Sequence, residues 1–290
     1  MRKSLLLSTI LASLAAFLLV GGTLLIIDPG APKHEAIKTG GLAGGAIVAL
    51  YALWLNDRRR KVEEARQELE SQRIDHDRSR VADERFARAV ELLGHDAAQV
   101  RVGAMHALAG LAKSRPEDYK QTVLDILCAY LRRPFRHEKD DEPTEIELEV
   151  RLTSQRLIED LLPRRDQENA PRYDLNLTKA HLEFMDLSYR QVGDLYLRVA
   201  HFEESNSFHH MLIHGHFYVT EATANGRFQV QHTEIRGKAW FSRFKSTGTA
   251  LFTDTKFGGE TKFAGSEWAD VKADGCTFAV DPELPEAWRN

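Results

Sequence analysis

Cysteine is almost missing from this chain. Cys128 and Cys276 are the only two, far apart and in no metal-ligand spacing, which excludes a disulfide framework and a Cys-rich zinc site. A surplus of one charge is missing too. The 39 Lys and Arg stand against 43 Asp and Glu, a net of −4, which argues against a basic nucleic-acid binder and against a polyacidic tail. Nor is there a GxSxG, HExxH, P-loop or dinucleotide-glycine pattern to point at a reaction. Charged residues at 28% and hydrophobic residues at 43% are ordinary for a folded chain, and 290 residues allow one or two modest domains plus an extension.

What the chain does have is an uneven N-terminus. The whole run from Ser4 to Ile27 carries no charge. At a helical rise of ~1.5 Å per residue it would extend roughly 36 Å, more than the ~30 Å hydrocarbon core of a bilayer. A second run, Ile37 to Leu55, is interrupted only by Lys38. It would rise about 28 Å, which just suffices. The first run is longer than the ~7–15-residue apolar region of a signal peptide, and a second span follows at once, so residues 1–56 read as two transmembrane helices. Arg2 and Lys3 precede the first, Arg58-Arg59-Arg60-Lys61 follows the second, and the loop 28–36 holds only Lys33 as a permanent cation. The positive-inside rule then places both termini in the cytoplasm, with everything from Asn56 onward. Gly40, Gly41, Gly44 and Gly45 give two overlapping GxxxG spacings, and Ala12 and Ala16 repeat the pattern in the first span. Small residues let helix backbones approach closely, so these glycines are expected to pack the spans into a hairpin, with self-association between copies as the alternative.

Residues 57–94 form a charged stalk. From Asp57 to Arg85 charged residues outnumber all others, and Val62, Ala65 and Leu69 make barely one heptad, so a solvated single helix is expected rather than a coiled coil. Apolar stripes then recur at helical spacing. Val100, Ala104, Leu108 and Leu111 make one, and Tyr119, Val123, Ile126 and Tyr130 the next, with Pro116 suited to a first turn and Pro134 to a stop. This 95–135 segment reads as a HEAT-like helical hairpin. After the charged loop His137–Pro143, Thr144 and Glu147 have capping-box spacing, opening a helix over 144–163 that ends at Pro163.

The strongest signal follows. Leu177, Leu182, Leu187, Val192, Leu197, Phe202, Leu212, Phe217 and Ala222 lie on one five-residue ladder broken only at Ser207. It resumes after slips of one or two positions at Phe228, Ile235, Phe241, Phe252, Phe257, Phe263, Trp268, Ala273 and Phe278, with irregular steps at 222–228, 228–235, 235–241 and 257–263 that are expected to bulge at corners. Two positions before each of these nine stands a small or β-branched residue. A period of five suits neither a helix nor a flat strand. It suits a solenoid in which each pentad forms one edge and sends two side chains into a narrow core.

Units such as Ala180-His181-Leu182 and Met185-Asp186-Leu187 resemble the pentapeptide-repeat family. The resemblance covers about 173–280 and implies a right-handed quadrilateral parallel β-helix of roughly five coils. At ~4.8 Å per coil the rod would be about 24 Å long. The order of spans, charged helix, the motif around Glu84-Arg85-Phe86 and Val100 to Ala112, then repeats, is similar to a group of membrane-anchored bacterial proteins, which implies the inner (plasma) membrane. The fold class expected is therefore α+β and multi-part, with helix 144–163 capping the first coil and tail 281–290, through Leu284 and Trp288, the last.

Function is reached by elimination. The family's best-known activity, DNA mimicry toward a type II topoisomerase, needs an acidic rod. Residues 173–280 hold 11 Lys and Arg against 13 Asp and Glu, a net of −2. Duplex of that length carries about 14 charges at one per ~1.7 Å. His201, His209, His210, His214 and His216, with Glu203 and Glu204, form the one cluster that could hold metal, but adjacent faces separate them and they read as an outward polar column. No cofactor, metal or catalytic residue is expected. The expectation is a non-enzymatic scaffold whose partners are the lipid bilayer and a cytoplasmic protein, not nucleic acid, with a homodimer through the last coil, topoisomerase binding and a self-assembling membrane structure as alternatives.

Overall fold

The structure, a computed structural model, describes residues 2–27, 33–136, 138 and 141–289. The expected inter-span loop at 28–32, residues 137, 139 and 140 of the charged loop, and the final residue 290 lie outside the described residues. Two compact units result, Met1–Arg80 and Val81–Asn290, so the division falls inside the stretch read as a stalk.

In the first unit, α1 spans Arg2–Ile27 and α2 runs without a break through Lys33–Leu92. Both are long and apolar enough to cross a bilayer, with mean hydropathies of 2.6 and 1.5 over their apolar stretches. The two glycine registers are not equivalent. Gly40 and Gly44 are buried against α1, where a Cβ on Gly40 would stand 2.8 Å from the Phe17 carbonyl oxygen and one on Gly44 3.2 Å from that of Ser13. The Ser13 hydroxyl donates to the Gly44 carbonyl at 3.0 Å. Gly41 and Gly45 face open space. On α1 the contact face is Ser13, Phe17 and Gly21 rather than the expected Ala12–Ala16 pair, Ala12 being exposed.

In the second unit, residues 81–92 of α2 pack with α3 (Ala98–Ser114), α4 (Pro116–Leu131) and α5 (Glu142–Leu161). Met105, Leu108, Val123, Leu124 and Leu127 are fully buried at their centre. Polar contacts tie the layers. The Tyr119 hydroxyl donates to Asp83, and Arg101 donates to both the Tyr130 hydroxyl (3.0 Å) and Glu147 (2.8 Å). Glu147 is thus occupied elsewhere than in the expected capping box. The N-cap of α5 is Asp141, whose carboxylate accepts from the Thr144 amide, because this register puts Pro143 in the first turn where its missing N–H costs nothing.

From Leu175 to Phe278 the chain winds a parallel β-solenoid of five coils, each with four inward-facing segments. Register fixes the perimeter. Leu175 pairs with Leu195, an offset of 20 that Asp174 and Asp194 share. Leu195 then pairs with Phe217 and Ala239 with Thr261, at the offset of 22 that also joins Asp194 to His216. The chain alternates six- and five-residue sides from Phe202 to Phe263, and the last sides return to five. The inward seats run Leu177, Leu182, Leu187, Val192, Leu197 and Phe202, then Phe208, Ile213, Val219, Ala224, Val230, Ile235, Phe241, Ser246, Phe252, Phe257 and Phe263, then Trp268, Ala273 and Phe278. This corrects the irregular steps expected from the sequence. The first slip is at 202–208, which removes the apparent break at Ser207, and the extra residues recur at two opposite corners. Leu212 is half-buried because Ile213 takes its seat. Phe217 and Phe228 are buried, each in the seat two before a smaller Val219 or Val230, so large and small residues trade places within one pair of seats.

The extra corner residues are accommodated by glycine. Gly226 stacks under Glu204 and Gly237 under Gly215, and a Cβ at either would collide with the carbonyl of the preceding coil. Polar side chains that occupy inward seats of the rod are paired, as Thr233 and Asn206 show. Thr233 Oγ1 donates to the Phe208 carbonyl (2.6 Å), and Asn206 accepts from the Met185 amide and donates to the Glu203 carbonyl. The upper end is closed by α5, where Arg151 and Gln155 donate to the outward-facing strand carbonyls of His181 and Glu183, at 3.2 and 3.0 Å. At the lower end Trp288 packs on Phe252 and Phe263, 4.6 Å from each, so the tail folds over the last coil.

Phe241 touches six rings: Phe217, Phe244, Phe252, Phe257, Phe263 and Trp268. Phe241→Ala is therefore expected to cost about 3–5 kcal/mol. Denaturant unfolding of the full chain in detergent, followed by tryptophan fluorescence, measures it. A loss below ~1 kcal/mol would contradict this core.

Candidate interaction face

Because the coils stack in register, outward side chains recur once per coil and form columns. On the side that begins each coil, the pairings place Asn176, Tyr196, Tyr218, Trp240 and Lys262 one above another. The rings are 5.6 Å apart at Tyr196–Tyr218 and 4.9 Å apart at Tyr218–Trp240, the spacing that parallel strands impose. Cations flank them. The Arg198 guanidinium lies 4.7 Å from the centre of the Tyr218 ring, and Lys238 and Lys262 lie 5.5 and 4.7 Å from that of Trp240. His216 stands 5.3 Å from Tyr218, which is only 8% exposed under this cover. Cation–π contacts of this kind contribute about 0.5–1 kcal/mol where exposed.

The Tyr196 end of the aromatic column is pinned by Asp194, which accepts from the Tyr196 hydroxyl (2.8 Å) and from the His216 amide (2.6 Å). Two polar atoms nearby, Trp240 Nε1 and Thr220 Oγ1, are buried without a partner. Aromatic rings and arginine are the residue types enriched at the centre of protein interfaces. No inward ladder could reveal this column. The sequence signal for it was the evenly spaced recurrence Tyr196, Tyr218, Trp240, which is visible only once the six-residue sides are recognised.

The histidines are dispersed. His201 bonds Thr223 Oγ1 at 2.8 Å on the second side, His214 bonds Gln191 at 2.8 Å, and the His216 ring accepts from the Lys238 amide at 3.0 Å. His210 stacks between Tyr189 and His232 at 4.6 Å from each, with His209 edge-on. Burial first, then the neighbouring His232, His209 and Arg165, hold His210 below the ordinary histidine value. Glu203 accepts from the Asn225 side chain at 2.7 Å. Among the described residues no three His, Cys, Asp or Glu side chains converge as metal ligands. Both cysteines are free, and burial pushes the Cys128 thiol up to about 12 and Cys276 up to about 11, so neither is a ready nucleophile.

No family model, curated protein or solved structure matches the chain.

The hydrogen bond to Asp194, then desolvation and that carboxylate's charge, push the Tyr196 phenol up to about 12. That is above the ~10 of an unfolded tyrosine. The contact therefore stabilises the fold fully below pH ~10 and is lost as pH rises through the folded value. Asp194→Asn is expected to move the Tyr196 step of an ultraviolet titration downward, with Tyr196→Phe identifying that step. An unmoved step would refute the contact.

Proposed function

We propose that the chain is a non-enzymatic, membrane-tethered scaffold of the pentapeptide-repeat type, held by its two apolar helices in a plasma membrane with both termini in the cytoplasm, and binding a protein partner along the solenoid. The observation that carries this reading is the five-coil rod with side chains ranked in outward columns, above all the Tyr196–Tyr218–Trp240 column with its cations. A rod of stacked coils offers a long, rigid surface in which each contact is repeated at strand spacing, and that suits recognition more than desolvated chemistry. Mixed charge along the repeats supports a protein partner over nucleic acid or a DNA-mimic role.

The test is cross-linking and recovery of the full chain from membranes, beside a 56–290 fragment and the Arg198→Ala/Trp240→Ala variant. One protein partner is expected with the anchored chain and is expected to fall about tenfold or more in the variant, as for loss of an interface anchor. Recovery of topoisomerase subunits, or of nothing but the chain itself, would overturn the scaffold reading.

A further inference from the structure

A second polar site lies away from the aromatic column, in a cleft of 310 Å³ between α5 and the first coil. One wall is α5, with Glu149, Arg156 and Glu159 around Gln155, and the other is Phe184 and Asp186. Gln155 is only 4% exposed. Its Nε2 donates to the Glu183 carbonyl, yet its Oε1 has no hydrogen-bond partner. A buried acceptor without a donor is costly, and this one belongs to a side chain that lines the cleft.

The electrostatics of the walls point the same way. Glu159 is engaged by Arg190 at 2.9 Å, but Glu149 and Asp186 make no ion pair among the described residues. Asp186 accepts from the Ser188 amide (2.9 Å) through one oxygen, leaving the other. Arg156, the one cation in the lining, donates to Thr153 Oγ1 at 3.4 Å. Phe184 is 55% exposed beside these acceptors. The site thus has acceptors in excess, one of them buried, and an open aromatic surface. A bare metal ion would not use the ring and would need three converging ligands, a set that is absent among the described residues.

We propose that this cleft binds an alkylammonium or guanidinium group, whose N–H donors reach Gln155 Oε1 and the Glu149 and Asp186 carboxylates while its stem or plane lies against Phe184. The group is carried either by a Lys or Arg side chain of another protein or by a free amine, and the inference stands independently of the scaffold reading.

The test is calorimetric titration of the full chain in detergent with butylamine, butylguanidine and tetramethylammonium, the last carrying charge without N–H donors. Saturable binding of butylamine or butylguanidine, but not of tetramethylammonium, is expected. Glu149→Gln/Asp186→Asn should weaken it about tenfold. Both substitutions are nearly isosteric and on exposed positions, so folding is retained. Asp160→Asn, an equal charge change on the same helix but outside the lining, should leave it unchanged. A Gly-Arg-Gly peptide that binds more tightly than butylguanidine assigns the group to a protein side chain, and one that binds more weakly assigns it to a free amine. No saturation by either N–H cation, equal binding of tetramethylammonium, or indifference to the double substitution would overturn the proposal.

Discussion

Each coil must close on the coil beneath it with its backbone amides and carbonyls in register, since in a parallel solenoid nearly every strand hydrogen bond runs to a neighbouring coil. Leu195 N donates to the His216 carbonyl, Phe217 N to that of Lys238 and Ala239 N to that of Glu260, at 2.8, 2.8 and 3.0 Å. The perimeter can therefore change only by adding residues at the same corner in successive coils. That requirement accounts for the constant turn length through the middle of the rod, for the glycines where one corner rests directly on the carbonyl of another, and for the ranking of outward side chains into columns. The core follows from the same rule. Two inward seats per side leave a narrow interior, so a phenylalanine in one seat demands a smaller residue in its partner, as at Phe217 with Val219 and Phe244 with Ser246.

The ends of the rod are governed by the same backbone groups. At the first coil, the carbonyls of His181 and Glu183 would face another strand if the solenoid continued. Instead α5 supplies Arg151 and Gln155, side chains one helical turn apart, as donors in place of a strand. Arg151 is buried to 1% exposure with its guanidinium 4.7 Å from the Phe135 ring centre, and burial lowers its affinity for the proton to a value of about 10, still far above neutral pH. At the last coil the cover is apolar, through Trp288, and the strand Glu267–Lys272 keeps mostly exposed positions. Helix above and tryptophan below solve the edge problem by different means.

How much of this could be read from the sequence depended on whether one residue type was forced. The inward ladder from Leu177 to Phe202 is legible because burial admits only apolar side chains at a strict spacing. After Phe202 the ladder could be followed only loosely, since Leu212 and Ile213, or Phe217 and Val219, are equally apolar and only the backbone register chooses between them. The glycine pairs in α2 posed the same problem. Both have the four-residue spacing, and the choice of Gly40 and Gly44 is made by Ser13, Phe17 and Gly21 on the opposing helix. At the start of α5, Asp141 and Thr144 are both good caps, and Pro143 decides between them. The aromatic column was invisible to a burial pattern because outward positions tolerate any residue. The Gln155 cleft carries no sequence signal at all, being made by a helix and a coil segment that are separated in the chain and meet only in the fold.

The regular turn in the middle of the rod makes its length a separable variable. A segment such as 195–216 begins and ends at equivalent points of successive coils, so gaining or losing one such segment would preserve every corner, every seat and both end covers. It would shift the Tyr–Tyr–Trp column by one ring and the rod by a single ~4.8 Å step. A lineage of such chains can thus tune reach in quantised increments, while an indel of any other size must be absorbed at a corner or would break the stack.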